Sequence, residues 1–418
     1  MKRQVLILAA VLALTAPAAI LDAGTPDKEK YTLEEMVVLS RHNIRSPLSG
    51  PGSVLSRITP HEWFEWTSAP AELSRKGAVL ETRMGQYFAL WLEDEGLFAR
   101  NSVPADGEVL FYANSIQRTV ATAQYFSSGL FPLANVRVLH RPEIGVMDPV
   151  FFPRVTGPDS AFVALASGQI AAMGGEDGYA GLGKKMAANY KVLAKVLDIR
   201  RSPAAANDTL SFPLEDTRVF LEDGKEPYMK GGLKMACSAS DALVLQYYED
   251  PSLRSAAFGH RISREKWKAI SEVKDWYGDI LFTAPAVAGN VARPLLEKIL
   301  DELRTPGRKF SFLCGHDSNI GSVLAALGCG EYDLPQAIEK KTPIGSKLVF
   351  RKYAGADGVL YADVQLVYAS DTQIRAESDL GPDNPPVFFP LRLEGLEANA
   401  DGLYLLSDLE SRFAEVIR

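Results

Sequence analysis

The chain has 418 residues, 47% of them hydrophobic and 23% charged, which is an ordinary globular composition. That length exceeds what a single core usually holds, so two domains are expected. A formal charge of −7 speaks against a nucleic-acid backbone as partner, while leaving room for a small anion held by a few local arginines.

In chain order the N-terminus comes first. Lys2 and Arg3 precede an apolar run from Val5 to Leu14 and the small residues Ala16, Pro17 and Ala18. This is the layout of a secretory signal, here residues 1–23, and the run is too short for a bilayer span. A short buried helix is the alternative for the same run. No cysteine lies near the cleavage region, so no membrane anchor is expected after cleavage. The mature chain is expected in the periplasm or secreted.

Apolar, β-rich runs follow at 36–40, 109–112, 136–140 and 310–314, with further strand signals at 347–351 and 362–367. Helix-period segments follow three of them, at 73–92, 117–126 and 318–327. Strands alternating with helices indicate an α/β sheet domain. From about 158 to 303 the pattern is mostly helical, broken at Gly231-Gly232 and Pro285. The expected organisation is an α/β domain built from 30–157 and 304–418, with a mainly helical domain, 158–303, inserted.

Two of the five histidines stand where an apolar strand ends and a helix can begin. Ser40 runs into Arg41-His42-Asn43-Ile44-Arg45, and Cys314 runs into Gly315-His316-Asp317-Ser318. The crevice beyond strand carboxyl ends is where α/β sheets usually bind ligands, and a helix N-terminus there favours an anion. Arginine's planar fork suits phosphate oxygens and keeps its charge. A neutral imidazole between two arginines is a good nucleophile toward phosphorus, and covalent catalysis splits hydrolysis into two easier transfers. His316 can donate to a phosphate oxygen, and Asp317 can protonate a leaving alkoxide. Each segment alone also reads as a basic loop or a capped helix. A third junction, Gln117-Arg118-Thr119, adds an arginine at a helix start where a bland role would prefer an acid.

Arg41-His42-x-x-Arg45-x-Pro47 and His316-Asp317 resemble the two signature motifs of the histidine acid phosphatase family, branch 2 of the histidine phosphatase superfamily. Arg118 is similar to that family's third phosphate-binding arginine. The resemblance implies His42 as nucleophile, Asp317 as proton donor, and Arg41, Arg45, Arg118 and His316 as the phosphate clamp. It implies a mixed-sheet α/β domain of the phosphoglycerate mutase-like kind with an inserted helical domain. Asn43 and Leu48 replace the commoner glycine and threonine, and that variant resembles the bacterial periplasmic glucose-1-phosphatase branch. The likeness extends through Gln246-Tyr-Tyr-Glu249 and Thr342-Pro-Ile-Gly345.

Asn43, Leu48 and Glu249 are accordingly expected in the substrate pocket, with Glu249 accepting sugar hydroxyls and repelling the extra phosphates of phytate. The expected activity is hydrolysis of small phosphate monoesters at acidic pH, sugar phosphates such as glucose 1-phosphate first. Phytase action on inositol hexakisphosphate is the alternative, and a non-catalytic sugar-phosphate-binding protein the remote one. No cofactor or metal is expected, because arginines supply the charge neutralisation. His61, His140 and His260 read as ordinary, and Trp63 and Trp66 read equally as pocket walls or core. The three cysteines, Cys237, Cys314 and Cys329, leave at least one unpaired, with a Cys314–Cys329 bridge open.

Overall fold

The computed structural model describes residues 26–50, 52–205 and 218–418, so the signal expected at 1–23 lies outside the described residues. The chain begins with β1 (Tyr31–Arg41), α1 (Arg75–Asp94), β2 (Val109–Ala113), α2 (Gln117–Leu130) and β3 (Val138–Leu139). Helices α3 (Ser160–Ala172) and α4 (Gly178–Val196) lead to a small hairpin, β4 (Arg218–Phe220) and β5 (Tyr228–Lys230). Next come α5 (Gly232–Glu249), α6 (Leu253–Ala256), α7 (Arg264–Phe282), α8 (Pro285–Val291) and α9 (Arg293–Arg304). The chain then returns to the sheet with β6 (Phe310–Gly315), α10 (Asp317–Ala326), β7 (Lys347–Gly355) and β8 (Leu360–Tyr368). It closes with α11 (Asp371–Ala376), β9 (Val387–Pro390), β10 (Tyr404–Leu405) and α12 (Leu406–Ile417).

One mixed sheet runs β10-β8-β7-β1-β6-β2-β3, with β9 paired to β8. Strands β1, β6, β2 and β3 are parallel, and β7 onward is antiparallel. The central strands read as continuous apolar runs because both faces are covered. Along β1, Val37 and Leu39 point into a core with Leu295, Ile299, Ile320 and Phe413 of α9, α10 and α12. Met36 and Val38 point the other way, toward Phe88, Trp91 and Phe126 of α1 and α2. The period of two thus sorts one strand into two helix-covered layers.

A third core joins α3, α4, α5, α7 and α8, and it continues into Ile44, Leu55, Ile58 and Ile344 beside the strand ends. The loops after β1 therefore rest on the helical segment. Cys314 packs in the layer of α1 and α2 while Cys329 packs against the opposite layer, and both are free thiols, so the open bridge is not made. No helix among the described residues is long and apolar enough to cross a membrane.

The loop after β1 is fixed from beneath by a buried charge. Lys347 Nζ meets Glu81 Oε1 at 2.8 Å, with both side chains fully buried. The Asn43 amide donates to the same Oε1 at 2.8 Å. Helix α1 comes close enough for this because Gly77 has no side chain; a Cβ there would sit 2.5 Å from the Ile44 carbonyl oxygen. Breaking such a pair strands one buried charge, whereas removing both charges costs far less. Lys347→Met should lower unfolding stability by about 3–5 kcal/mol in urea titrations, with Lys347→Met/Glu81→Gln recovering most of it. Equal losses in the single and double variants would show that the pair does not carry this charge balance.

Candidate active site

Three parallel strands end side by side. Arg41, the last residue of β1, is in register with Gly315 at the end of β6, and Ala113 at the end of β2 is in register with Cys314. The next residues, His42, His316 and Asn114, enter the crevice beyond the strand ends. The His42 N–H donates to the Gly315 carbonyl at 3.0 Å, and its own carbonyl accepts from Gly345 N–H at 3.2 Å. Gly345 has a φ of +67°, and a Cβ there would lie 2.5 Å from the Asn43 amide nitrogen. Only glycine suits both demands.

Hydrogen bonds set the tautomer of each imidazole in the crevice. His42 Nδ1 lies 2.9 Å from the Asn43 carbonyl, which can only accept, so Nδ1 carries the proton and Nε2 keeps a free lone pair. His316 is set by Asn114. The Asn114 Oδ1 accepts from Asp148 N–H at 2.9 Å, which turns its NH2 toward His316 Nε2 at 2.7 Å. That ring nitrogen accepts, so Nδ1–H is the donor left over. The two rings meet edge to face, with centroids 5.4 Å apart.

Burial depresses the His42 pKa well below the usual range, and Arg118, His316, Arg45 and Arg41 depress it further. Burial and Arg118 likewise bring His316 down to about 3. Both shifts favour the neutral ring, the state a nitrogen nucleophile requires.

The cations are interleaved with carboxylates. Arg41 Nη1 pairs with Glu339 Oε1 at 2.6 Å, and Nη2 lies 3.6 Å from Asp317 Oδ2. Arg45 Nη2 pairs with Asp241 Oδ2 at 2.8 Å. Arg118 has no ion pair among the described residues; its Nη1 reaches only the Ala71 carbonyl, at 3.4 Å. Burial, with repulsion from Arg45, lowers the Arg118 pKa to about 10, so it remains a cation. The Nε of all three arginines is buried without a protein acceptor. Buried donors without partners are costly, and three around one imidazole define a place for an anion.

Asp317 opens α10 and is gripped by a residue that no motif indicated. Lys274 Nζ, from α7, lies 2.8 Å from Asp317 Oδ2 and 3.2 Å from Glu339 Oε1. Burial alone would raise the Asp317 pKa, but Lys274 and Arg41 outweigh it and hold the carboxyl well below its usual range. Lys274, Glu339 and Asp241 lie far from the signature residues in sequence. Their only signal is a charged residue on an otherwise apolar helix face or turn.

A fourth unanticipated residue is Glu226, in the turn between β4 and β5. Burial and the Asp317 charge raise its pKa to about 7, against the pull of Arg118. Two expected pocket residues have their side chains engaged by other partners. Glu249 accepts from Ser74 Oγ at 2.9 Å at the start of α1, and its charged neighbours are Lys76, Glu377 and Arg75 rather than the arginine cluster. Asn43 turns inward, its NH2 given to Glu81 and its Oδ1 to Ile44 N–H, so it supports the loop from below. Leu48 is 62% exposed on the same loop. Trp63 packs edge to face on Phe258 and donates to the Leu55 carbonyl, which places it in the helical core. His61 and His260, read as ordinary, converge on Asp198.

A family model described as the histidine phosphatase superfamily (branch 2) matches residues 32–194. The chain is 37% identical to a glucose-1-phosphatase of Providencia rettgeri, with 100% of each covered. It is 36% identical to a glucose-1-phosphatase of Salmonella typhimurium, with 98% of each covered. The apo phytase of Hafnia alvei superposes with a TM-score of 0.84 at 24% identity, covering 97% of this chain and 98% of that one, a likeness of fold.

Proposed function

The chain belongs to the histidine acid phosphatase family, branch 2 of the histidine phosphatase superfamily, and is a phosphatase; from that premise we propose that it hydrolyses sugar phosphates, glucose 1-phosphate foremost, through a phosphohistidine at His42. The observation that supports this reading most is the free Nε2 of His42, held toward its neutral form by burial among Arg118, His316, Arg45 and Arg41. Export to the periplasm belongs to the same reading, and the layout of residues 1–23 supports it.

The substrate phosphate takes the donors of Arg41, Arg45 and Arg118 and the Nδ1–H of His316. Nε2 of His42 bonds to phosphorus as the bond to the sugar oxygen breaks, and Asp317 gives that oxygen a proton. Water then adds to phosphorus and loses its proton to the Asp317 carboxylate. The electrons of the phosphorus–nitrogen bond return to Nε2, and inorganic phosphate is released.

Asp317 is ionised before substrate arrives, because Lys274 and Arg41 outweigh its burial. A phosphate dianion beside Arg41 draws on the same positive charge and adds a like charge near Asp317, so binding raises its pKa. Proton uptake on binding then favours acidic conditions. In this reading the helices between 158 and 303 form an inserted domain that brings Asp241, Lys274 and Glu226 to a crevice otherwise made by 30–157 and 304–418.

Glu226 takes a sugar-facing role, because its charged neighbours are Asp317 and Arg118, whereas those of Glu249 are Lys76, Glu377 and Arg75. Its carboxyl titrates near 7, so in acid it both donates to and accepts from hydroxyls. A polyphosphate needs further free cations around the pocket, and Lys274 is already committed to Asp317 and Glu339. Comparing kcat/KM on glucose 1-phosphate, phytate and an aryl phosphate is expected to show a preference for the sugar phosphate over phytate. A strong preference for phytate would overturn the substrate assignment and leave the phosphohistidine untouched.

Lys274→Met is expected to move the alkaline limb of the kcat–pH profile upward by about one unit, because a carboxylate that loses an adjacent cation binds its proton more tightly. Lys274→Arg should keep the wild-type limb. An unmoved limb in Lys274→Met would mean that Asp317 is not the acid that this limb reports.

A further inference from the structure

His61, Asp198 and His260 lie in three separate segments and meet at one carboxylate oxygen. His61 follows Thr59, whose Oγ1 accepts the His61 N–H at 3.2 Å. Its ring stacks on Phe258, with centroids 5.0 Å apart and planes 16° apart. Asp198 lies just beyond α4 with a φ of +47°, a left-handed conformation that aspartate tolerates better than most residues. His260 belongs to the loop between α6 and α7. Asp198 Oδ2 lies 2.7 Å from His61 Nε2 and 3.1 Å from His260 Nε2.

As hydrogen bonds alone, these contacts spend two ring protons on one oxygen. A single divalent ion can take the place of both protons. Two imidazole nitrogens and a carboxylate oxygen are a donor set suited to borderline first-row ions, whereas Mg²⁺ and Ca²⁺ favour oxygen-only shells. Bonds of about 2.0–2.1 Å in a tetrahedral shell separate ligand atoms by roughly 3.3 Å. The three ligand atoms already lie within 4.8 Å of one another, so modest side-chain rotation seats an ion. The three side chains are 27%, 27% and 25% exposed, which leaves an entry path and room for water at a fourth position.

We propose that His61, Asp198 and His260 form a three-ligand site for a divalent transition-metal ion of the zinc class, separate from the phosphate crevice. The bound ion ties the loop around His61, the end of α4 and the α6–α7 loop together. It shares no residue with the cluster around His42, so phosphoryl transfer proceeds with or without it.

The test uses the untagged chain, stripped with chelator and titrated with Zn²⁺ by calorimetry at about pH 7.5, where free imidazoles are neutral ligands. His61→Ala, His260→Ala and Asp198→Asn are titrated alongside. One Zn²⁺ per wild-type chain is expected, with affinity reduced about a hundredfold or more in each variant. Asp198→Asn keeps a side chain that tolerates the left-handed backbone, and wild-type activity on an aryl phosphate in all three variants reports an intact fold. Wild-type affinity persisting in His61→Ala and His260→Ala would place the ion elsewhere and overturn the proposal. Absence of stoichiometric Zn²⁺ binding by the wild type would leave only a hydrogen-bonded clamp and overturn it equally.

Discussion

Three arginines around the His42 imidazole and a lysine beside Asp317 share one buried crevice, and like charges stay together there only where carboxylates stand among them. Glu339 lies between Arg41 and Lys274, Asp317 touches both, and Asp241 holds Arg45. Arg118 alone has no such partner among the described residues. The site is thus nearly balanced and short of one anion, a demand that a phosphate group meets. Burial first, and then the same arginines with His316, hold the His42 pKa down, so the crevice that calls for an anion also favours a neutral imidazole.

Holding this arrangement takes every layer of the fold. The parallel register of β1, β6 and β2 brings Arg41, His316 and Asn114 to one edge. The turn at Gly345 and the buried Lys347–Glu81 pair support the loop from Asn43 to Arg45. Helices α5 and α7 contribute Asp241 and Lys274, and their core continues beneath Ile44 and Ile344. Loosening any of these supports shifts charges rather than merely side-chain volume, and in a low-dielectric crevice charge displacement is the more expensive error.

Much of this was legible in the sequence. The strands at 36–40 and 310–314 and the helices after them were visible because apolar runs and helical periods are local properties, and β1 and β6 extend those runs by a few residues. His42, Arg41, Arg45, Arg118, His316 and Asp317 were visible because they sit at strand ends. The compensating partners were not. Lys274, Glu339, Asp241 and Glu226 reach the crevice through folding of other segments, and a lone charge on an apolar helix face or turn is too common a pattern to mark them. Glu249 lies near Asp241 in sequence, yet two further turns of α5 give it a different partner, Ser74. Asn43 sits beside His42 but faces inward, since alternate residues of an extended chain point to opposite sides. His61 and His260 had no local partner, and tertiary structure supplied one in Asp198.

The central claim is a covalent bond between phosphorus and His42 Nε2. Rapid acid-free denaturation of the enzyme during turnover of ³²P-labelled substrate, followed by peptide mapping, tests it most directly, because phosphohistidine is lost in acid but survives in base. Label on the peptide containing His42 in the wild type, absent in His42→Ala, is the expected result. Label carried by another residue, or turnover by His42→Ala at the wild-type rate, would contradict it.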